Sequence, residues 1–500
     1  MSTAETGFPL RQGADAAFAT VRAFFARAGF SDAELCRVLG MEKMSDLGRV
    51  KWDEAPLATL PAPLRWCLAV MVRGQPAPAT ETAALCGEPT LAAFRELQLL
   101  RPAKKDPTHL VCPAWVYPGD GFVLASDRTD DPDGEPFTPA ADVVFPGIYG
   151  GTLRFLDLLP DASGGDALDV CGGSGVGALH LARTARTAVT ADITARSAFF
   201  AEFNARLNGA AVESLCGDLY APAAGRHFDV ITAHPPFVPA TGETMVYSDA
   251  GVTGEVIIRR TIEGLPDHLR SGGTALVLCV ARDTEEGTFE QRARSWLGAT
   301  AGEFDVVFGL ERILTVERVV ESLRQRGNHL SDEQARQLHE RLRSSGTRQF
   351  VYGALFVRRS PGAVPEPPLR LQLTPDGRAT DFDRVFAWRR HCRRPDLFTW
   401  MSAARPRLAP AVRLEARHVV QDGELVPAEF VFSVEGGFQY ALRPDPWIVP
   451  LVAKFNGSRA VSDVFAAARA AQEFPLAVFA QLLQSLVTHG LLEVEFPREG

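Results

Sequence analysis

The run Asp169-Val170-Cys171-Gly172-Gly173-Ser174-Gly175-Val176-Gly177 constrains this chain more than any other stretch. A strand-like segment enters a glycine-rich turn, and a helix-like segment leaves it. Glycine belongs where the backbone takes positive φ, or where a ligand must come so close to the main chain that a Cβ would obstruct it. The pattern predicts a strand–turn–helix unit at the ligand-binding edge of an open α/β sheet. Downstream, His234-Pro235-Pro236-Phe237 supplies a rigid Pro-Pro loop after another strand. Together the two segments predict a pocket for a nucleoside-bearing cofactor beside a flat or polar acceptor.

The sequence around this turn alternates between strand and helix, as expected of a parallel sheet covered on both faces. Apolar runs predict strands at 166–171, 187–192, 212–217, 228–233, 274–280, 304–310 and 350–358. Helices are predicted at 175–184, 194–208, 254–270 and 284–297, with 312–349 a charged helical insertion. A strand at 304–310 running parallel to its neighbours would place that insertion over the acceptor pocket, as a lid.

The flanking regions read differently. Residues 1–139 are mostly helical, with apolar spacing at Phe18, Val21, Phe24 and Phe25, then a strand-like piece at 109–112 and an exposed connector at 126–139. Helices followed by a small β-ribbon make this a helical, winged-helix-like domain. Residues 140–360 carry the α/β rhythm. Residues 361–500 begin with a linker at 361–368 and an irregular, Arg-rich stretch at 369–420. A hairpin at 428–442 and helices ending in a strand follow, making an α+β domain.

At 500 residues the chain exceeds one compact core. Its net charge of −9 argues against nonspecific duplex binding, which needs lysines and arginines to displace phosphate counterions. Eight scattered cysteines, with no C-x-x-C pair, fit neither a zinc cage nor a disulfide scaffold, and no metal is expected. There is no secretory signal and no apolar run long enough to span a bilayer, so the cytoplasm is the expected location.

Polar groups recur at successive strand ends. Asp192 ends the second strand, where a carboxylate can accept both ribose hydroxyls, with Ile193 beside it. Asp218 ends the third, placed to accept an adenine amino group while Leu219 packs on the ring. His234 ends the fourth. This layout resembles class I S-adenosylmethionine-dependent methyltransferases over roughly residues 140–360. The resemblance implies a Rossmann-like seven-stranded sheet and S-adenosyl-L-methionine as cofactor. Cys171 stands where the family's first glycine would be. Asp169, Cys171, Gly172, Gly173, Gly175, Asp192, Ile193, Asp218, Leu219 and His234 are the implied cofactor residues. Tyr149 and Thr152, in the pre-motif Tyr149-Gly150-Gly151-Thr152, join them at the methionine end; helix capping is the other reading of Thr152.

The loop His234-Pro-Pro-Phe-Val-Pro239 resembles the N-P-P-[YF] loop of amino- and amide-methylating members. With the run Ser248-Asp-Ala-Gly-Val-Thr-Gly254 it is similar to the small-domain and release-factor glutamine methyltransferase group. Pro235, Pro236, Phe237 and Tyr247 are the implied substrate contacts, and His234 and Phe237 the catalytic pair. Histidine in place of asparagine offers one acceptor and titrates near neutrality, which suggests that it takes a proton from a hydroxyl or protonated amine. The expected reaction is methylation at N or O of a small molecule or peptide side chain. The alternatives are an RNA-base or ribosomal methyltransferase, and a non-catalytic S-adenosylmethionine-binding scaffold.

Residues 428–496 bear a looser resemblance to winged-helix-like domains that grip precursor peptides. Packing or dimerisation through the terminal modules is the other reading, with a homodimer as its consequence. Arg384, Arg389, Arg390, Arg393 and Arg394 suit either an acidic partner or ion pairs.

Overall fold

The computed structural model describes residues 7–236, 253–325, 330–360, 366–434, 436–471 and 473–496. Two compact units span residues 1–270 and 271–500. The first contains four parallel strands, β1 (Asp166–Val170), β2 (Thr187–Asp192), β3 (Val212–Cys216) and β4 (Phe228–Ala233), in the order β4-β1-β2-β3. Leu168, Val170, Val189, Ala191, Ile231 and Ala233 are buried, as side chains of a parallel sheet covered on both faces must be. Helix α1 (Val176–Leu181) follows the glycine turn and α2 (Ala195–Asn208) follows β2.

The outer side of α2 is covered by the N-terminal region. Phe18, on the helix Asp15–Ala28, meets Phe203 edge-on with ring centroids 5.0 Å apart. Arg206 lies over the Phe18 ring and donates to Asp15 Oδ1 at 2.8 Å. A hairpin of Ala114–Gly119 and Phe122–Asp127 turns through Asp120 and Gly121, both at positive φ, as a two-residue hairpin turn requires. Asn204 accepts from the Ala125 N–H at 2.7 Å and donates to the Ala125 carbonyl at 3.0 Å. Asn208 treats Val123 in the same way, at 2.9 and 2.8 Å. Two asparagines thus satisfy a strand edge that would otherwise stay open.

This hairpin changes the expected exposed connector at 126–139. Ser126 and Asp127 belong to the strand and are buried, and Asp127 takes a two-pronged ion pair from Arg196 at 2.7 and 2.5 Å. Asp133 is also buried, held by Arg101 at 2.6 Å. Ahead of the hairpin lie helices Ala79–Cys86 and Glu88–Glu96 and a small antiparallel sheet of Ala77–Pro78, His109–Val111 and Arg101–Pro102.

The second unit contains β5 (Leu269–Thr284), β6 (Phe304–Leu314), β7 (Thr347–Arg359) and β8 (Leu369–Gln372), ordered β8-β6-β7-β5. β7 runs antiparallel to both β5 and β6. The expectation that 304–310 runs parallel to its neighbours holds only for β8. β8 itself lies where the sequence suggested irregular chain, because its four residues carry too short an alternation to register. Residues 312–349 contain the helices Val316–Gln325 and Asp332–Ser344, which bury Val320, Leu323, Leu338 and Leu342. Their facing charges pair with each other, Glu317 accepting from Arg343 at 2.6 Å and meeting His339 at 3.1 Å.

Further on, the expected hairpin at 428–442 is the second of two. Glu424–Val434 pairs with Tyr440–Leu442, and also with the long strand Val412–Gln421. The arginine cluster is largely consumed in ion pairs. Arg389 and Arg393 converge on the buried Asp305 at 3.5 and 2.5 Å, Arg384 pairs with Asp381, and Arg394 with Asp396.

Candidate functional site

Three alternate backbone positions shape the glycine turn. Cys171, Gly173 and Gly175 all take positive φ, at 60°, 53° and 79°. A Cβ on Gly172 would lie 1.8 Å from Thr190 Oγ1, and one on Gly175 would lie 2.8 Å from the Ala201 Cβ of α2. Gly173 is different: a Cβ there meets nothing within 4 Å. The turn is packed tightly from below and open above, the shape a backbone needs for a ligand to rest on it.

Asp192 braces this turn. Its Oδ2 accepts from the Gly173 N–H at 3.0 Å and its Oδ1 from the Thr194 N–H at 3.1 Å. An ionised carboxylate offers about four lone-pair sites, so ribose hydroxyls are not excluded by these bonds. Asp169 faces inward instead. It is only 2% exposed, accepts from Thr232 Oγ1 at 2.8 Å, and leaves no space for a side chain at Gly177. Burial, with the Asp192 charge added, pushes its carboxyl up to about 7. The Cys171 thiol is likewise pushed upward, by burial and by the carboxylates of Asp192, Asp169 and Asp218, and stays protonated.

Beyond β3, Asp218 remains partly exposed and accepts from Arg260 Nη2 at 2.7 Å. Leu219 takes φ 48° and is nearly buried, while Ile193 is 58% exposed at the end of β2. Tyr220 is buried, donates its hydroxyl to the Thr261 carbonyl at 2.7 Å and stacks on His268.

At the end of β4, the His234 ring stacks on Phe155, with centroids 5.5 Å apart and planes inclined by 25°. Phe155 belongs to the helix Gly150–Asp157, and a Cβ on Gly151 of that helix would lie 3.5 Å from His234 Cε1. The pre-motif is therefore packed directly against the first residue of the Pro-Pro loop. Tyr149 occupies the N-cap without a side-chain cap bond, so Thr152 does not cap this helix. Pro235 is buried and Pro236 partly so, whereas Phe237 and Tyr247 lie outside the described residues.

Burial pulls the His234 imidazole down to about 4, because an enclosed ring cannot be solvated as a cation. That direction runs below the near-neutral titration expected of this position and favours a neutral ring at pH 7. Sequence reasoning missed Phe155, Thr190, Thr232 and Arg260. Phe155 sits on an apolar helix face and the two threonines inside β2 and β4, where their residue types carry no functional signal. Among the described residues, no cluster of three or more His, Cys, Asp or Glu could hold a metal ion.

The open backbone at Gly173 and the partly exposed carboxylates of Asp192 and Asp218 suit a nucleoside-bearing group that donates hydrogen bonds from ribose and base. The methyltransferase small domain family matches residues 147–292. A Methanocaldococcus jannaschii protein, named as a protein N5-glutamine methyltransferase, is 29% identical over 147 residues, covering 28% of this chain and 74% of that protein. A ribosomal protein uL3 glutamine methyltransferase from Bradyrhizobium diazoefficiens is 28% identical over 200 residues, covering 35% of this chain and 62% of its own length. Among solved structures, ribosomal protein L11 methylase from Lactobacillus delbrueckii subsp. bulgaricus aligns at 18% identity and a TM-score of 0.24, over 42% of this chain and 77% of that one. A score that low carries no weight beside the strand order already described.

Proposed function

We propose that this chain, whose residues 147–292 match the methyltransferase small domain, is a class I S-adenosylmethionine-dependent methyltransferase that methylates a nitrogen or oxygen of a peptide side chain or small molecule held at the His234-Pro-Pro-Phe loop. A peptide side chain is the favoured acceptor, since both curated relatives are named for glutamine methylation. When bound, S-adenosyl-L-methionine supplies a methyl group activated by a positively charged sulfur.

The protein's own contribution is placement. Gly172 and Gly173 offer bare backbone, and Asp192 and Asp218 would hold ribose and base. Tyr149 and Thr152 would line the methionine end. The observation that carries the acceptor reading is the stacking of His234 on Phe155, which fixes the imidazole at the end of β4. Because burial keeps that ring neutral, one of its nitrogens can accept an N–H or O–H from the acceptor and turn its lone pair toward the methyl. His234 then acts by orienting the acceptor, and its low proton affinity makes it a weak base. Phe237 would supply a flat face for the acceptor.

The test is S-adenosylhomocysteine release with glutamine-containing peptides and small amines or alcohols as acceptors. Wild type, His234→Asn and His234→Ala would be compared. Retained turnover in His234→Asn with loss in His234→Ala supports the orienting role. Unchanged turnover in both removes His234 from the chemistry.

A further inference from the structure

Arg260 has no part in the site as read from strand ends, yet its guanidinium lies against the carboxylate that ends β3. Arg260 Nη2 donates to Asp218 Oδ2 at 2.7 Å. Arg260 sits on the helix Val256–Glu263. That helix is held in register by its next residue, whose carbonyl accepts from Tyr220 at 2.7 Å. Tyr220 is locked from the other side by Gly264, where a Cβ would lie 2.3 Å from the ring. Asp218–Arg260 and Tyr220–Thr261 are therefore two adjacent rungs between one turn and one helix, with the left-handed Leu219 between them. Both Asp218 and Arg260 act electrostatically on the Cys171 thiol, which places them beside the glycine turn.

We propose that Arg260 is a positioning residue for nucleobase selection, holding the Asp218 carboxylate aimed so that the site takes a 6-aminopurine and rejects a 6-oxopurine. The inference rests on the reading that Asp218 accepts the adenine amino group. With Oδ2 engaged by Arg260, Oδ1 makes no hydrogen bond among the described residues. An ionised carboxylate can only accept. It matches the N–H donors of a 6-amino group and repels the carbonyl oxygen of a 6-oxo group. A carboxylate free to rotate would discriminate less.

The competing expectation is that an ion pair with side chains 46% and 44% exposed contributes almost nothing. Calorimetry with S-adenosylhomocysteine and its inosine counterpart separates the two, using wild type, Asp218→Ala, Arg260→Ala, Arg260→Lys and the double alanine variant. The wild type should prefer the adenosine compound by about 10- to 100-fold, the range expected when a polar site is offered a mismatched partner. Arg260→Ala should weaken adenosine binding about 5- to 20-fold and narrow the preference, with most of the loss restored by Arg260→Lys. In the Asp218→Ala background, Arg260→Ala should have no further effect. Wild-type affinity and preference in Arg260→Ala, alongside a lost preference in Asp218→Ala, would reject the positioning role and keep the underlying reading. Unchanged preference in Asp218→Ala would reject both.

Discussion

Phe155 and His234 stack at 5.5 Å, so the helix ahead of β1 and the loop after β4 share one aromatic contact. The contact encloses the imidazole, and enclosure sets its charge.

The first prediction concerns pH. With the His234 pKa drawn down to about 4, kcat/KM should show no histidine break between pH 6 and 8. The sign for stability follows from the same shift. Folding favours the neutral ring, so the contribution is complete above pH 6.5 and is lost as pH falls toward 4. Urea midpoints of wild type and His234→Asn should converge as pH drops through that window. A kcat/KM break near 6.5 that vanishes in His234→Asn would contradict the neutral ring.

Asp169 predicts the opposite slope. Its carboxyl is raised to about 7, so the stability it contributes is complete below pH 4 and disappears as pH rises through 7. Asp169→Asn should flatten the pH dependence of the urea midpoint over that range. The accompanying loss should be about 1–2 kcal/mol at acid pH, the cost of one acceptor exchanged for a donor. An unaltered slope would show that Asp169 does not titrate there.

Gly172 and Thr190 should behave as a coupled pair. Gly172→Ala drives a methyl into Thr190 Oγ1 and should destabilise by about 1–3 kcal/mol. Thr190→Ala alone should cost little, since that hydroxyl is buried without a partner among the described residues. Combining the two should recover at least half of the loss, because the next-nearest atoms to the new methyl, the Thr190 Cβ and the Asp169 carboxylate, lie at 3.2 and 3.5 Å. Simple additivity in thermal unfolding would refute the steric account.

Phe18 should matter to α2 although it lies far from it in sequence. Removing a ring only 1% exposed should cost about 3–5 kcal/mol. In Phe18→Ala, amide exchange should accelerate in 195–208 as well as in 15–28. Protection lost in the N-terminal helix alone would mean that α2 stands without this cover.

Strands β1, β2 and β4 were legible within a residue or two, since each is a largely apolar, buried run, whereas β3 is a partly exposed edge strand marked by the Gly217-Asp218 that closes it. The helix pattern succeeded where a cap marks the start, as at Thr194, whose hydroxyl accepts from the Ser197 N–H at 3.0 Å. Reading failed where the partner, and not the periodicity, makes the strand. Phe122–Asp127 is stabilised by asparagine side chains, and Val412–Gln421 is exposed along most of its length. The Asp422-Gly423 turn, with both residues at positive φ, was the available signal for the hairpin of Val412–Gln421 and Glu424–Val434. Within the site, the acidic strand ends were visible because a carboxylate after an apolar run stands out. Arg260 was not, because one arginine on an amphipathic helix resembles any solvated charge. The state of His234 was equally hidden, since it depends on neighbours brought together by folding.

Asn204 does more than close a strand edge. The same amide that donates to Ala125 also reaches the Ser174 carbonyl at 2.9 Å, inside the glycine turn. The upstream hairpin is thereby a splint on the very loop that a cofactor would touch. Transplanting only residues 147–292 into another host would carry over the Asn204–Ser174 bond while removing the hairpin that holds Asn204 in place.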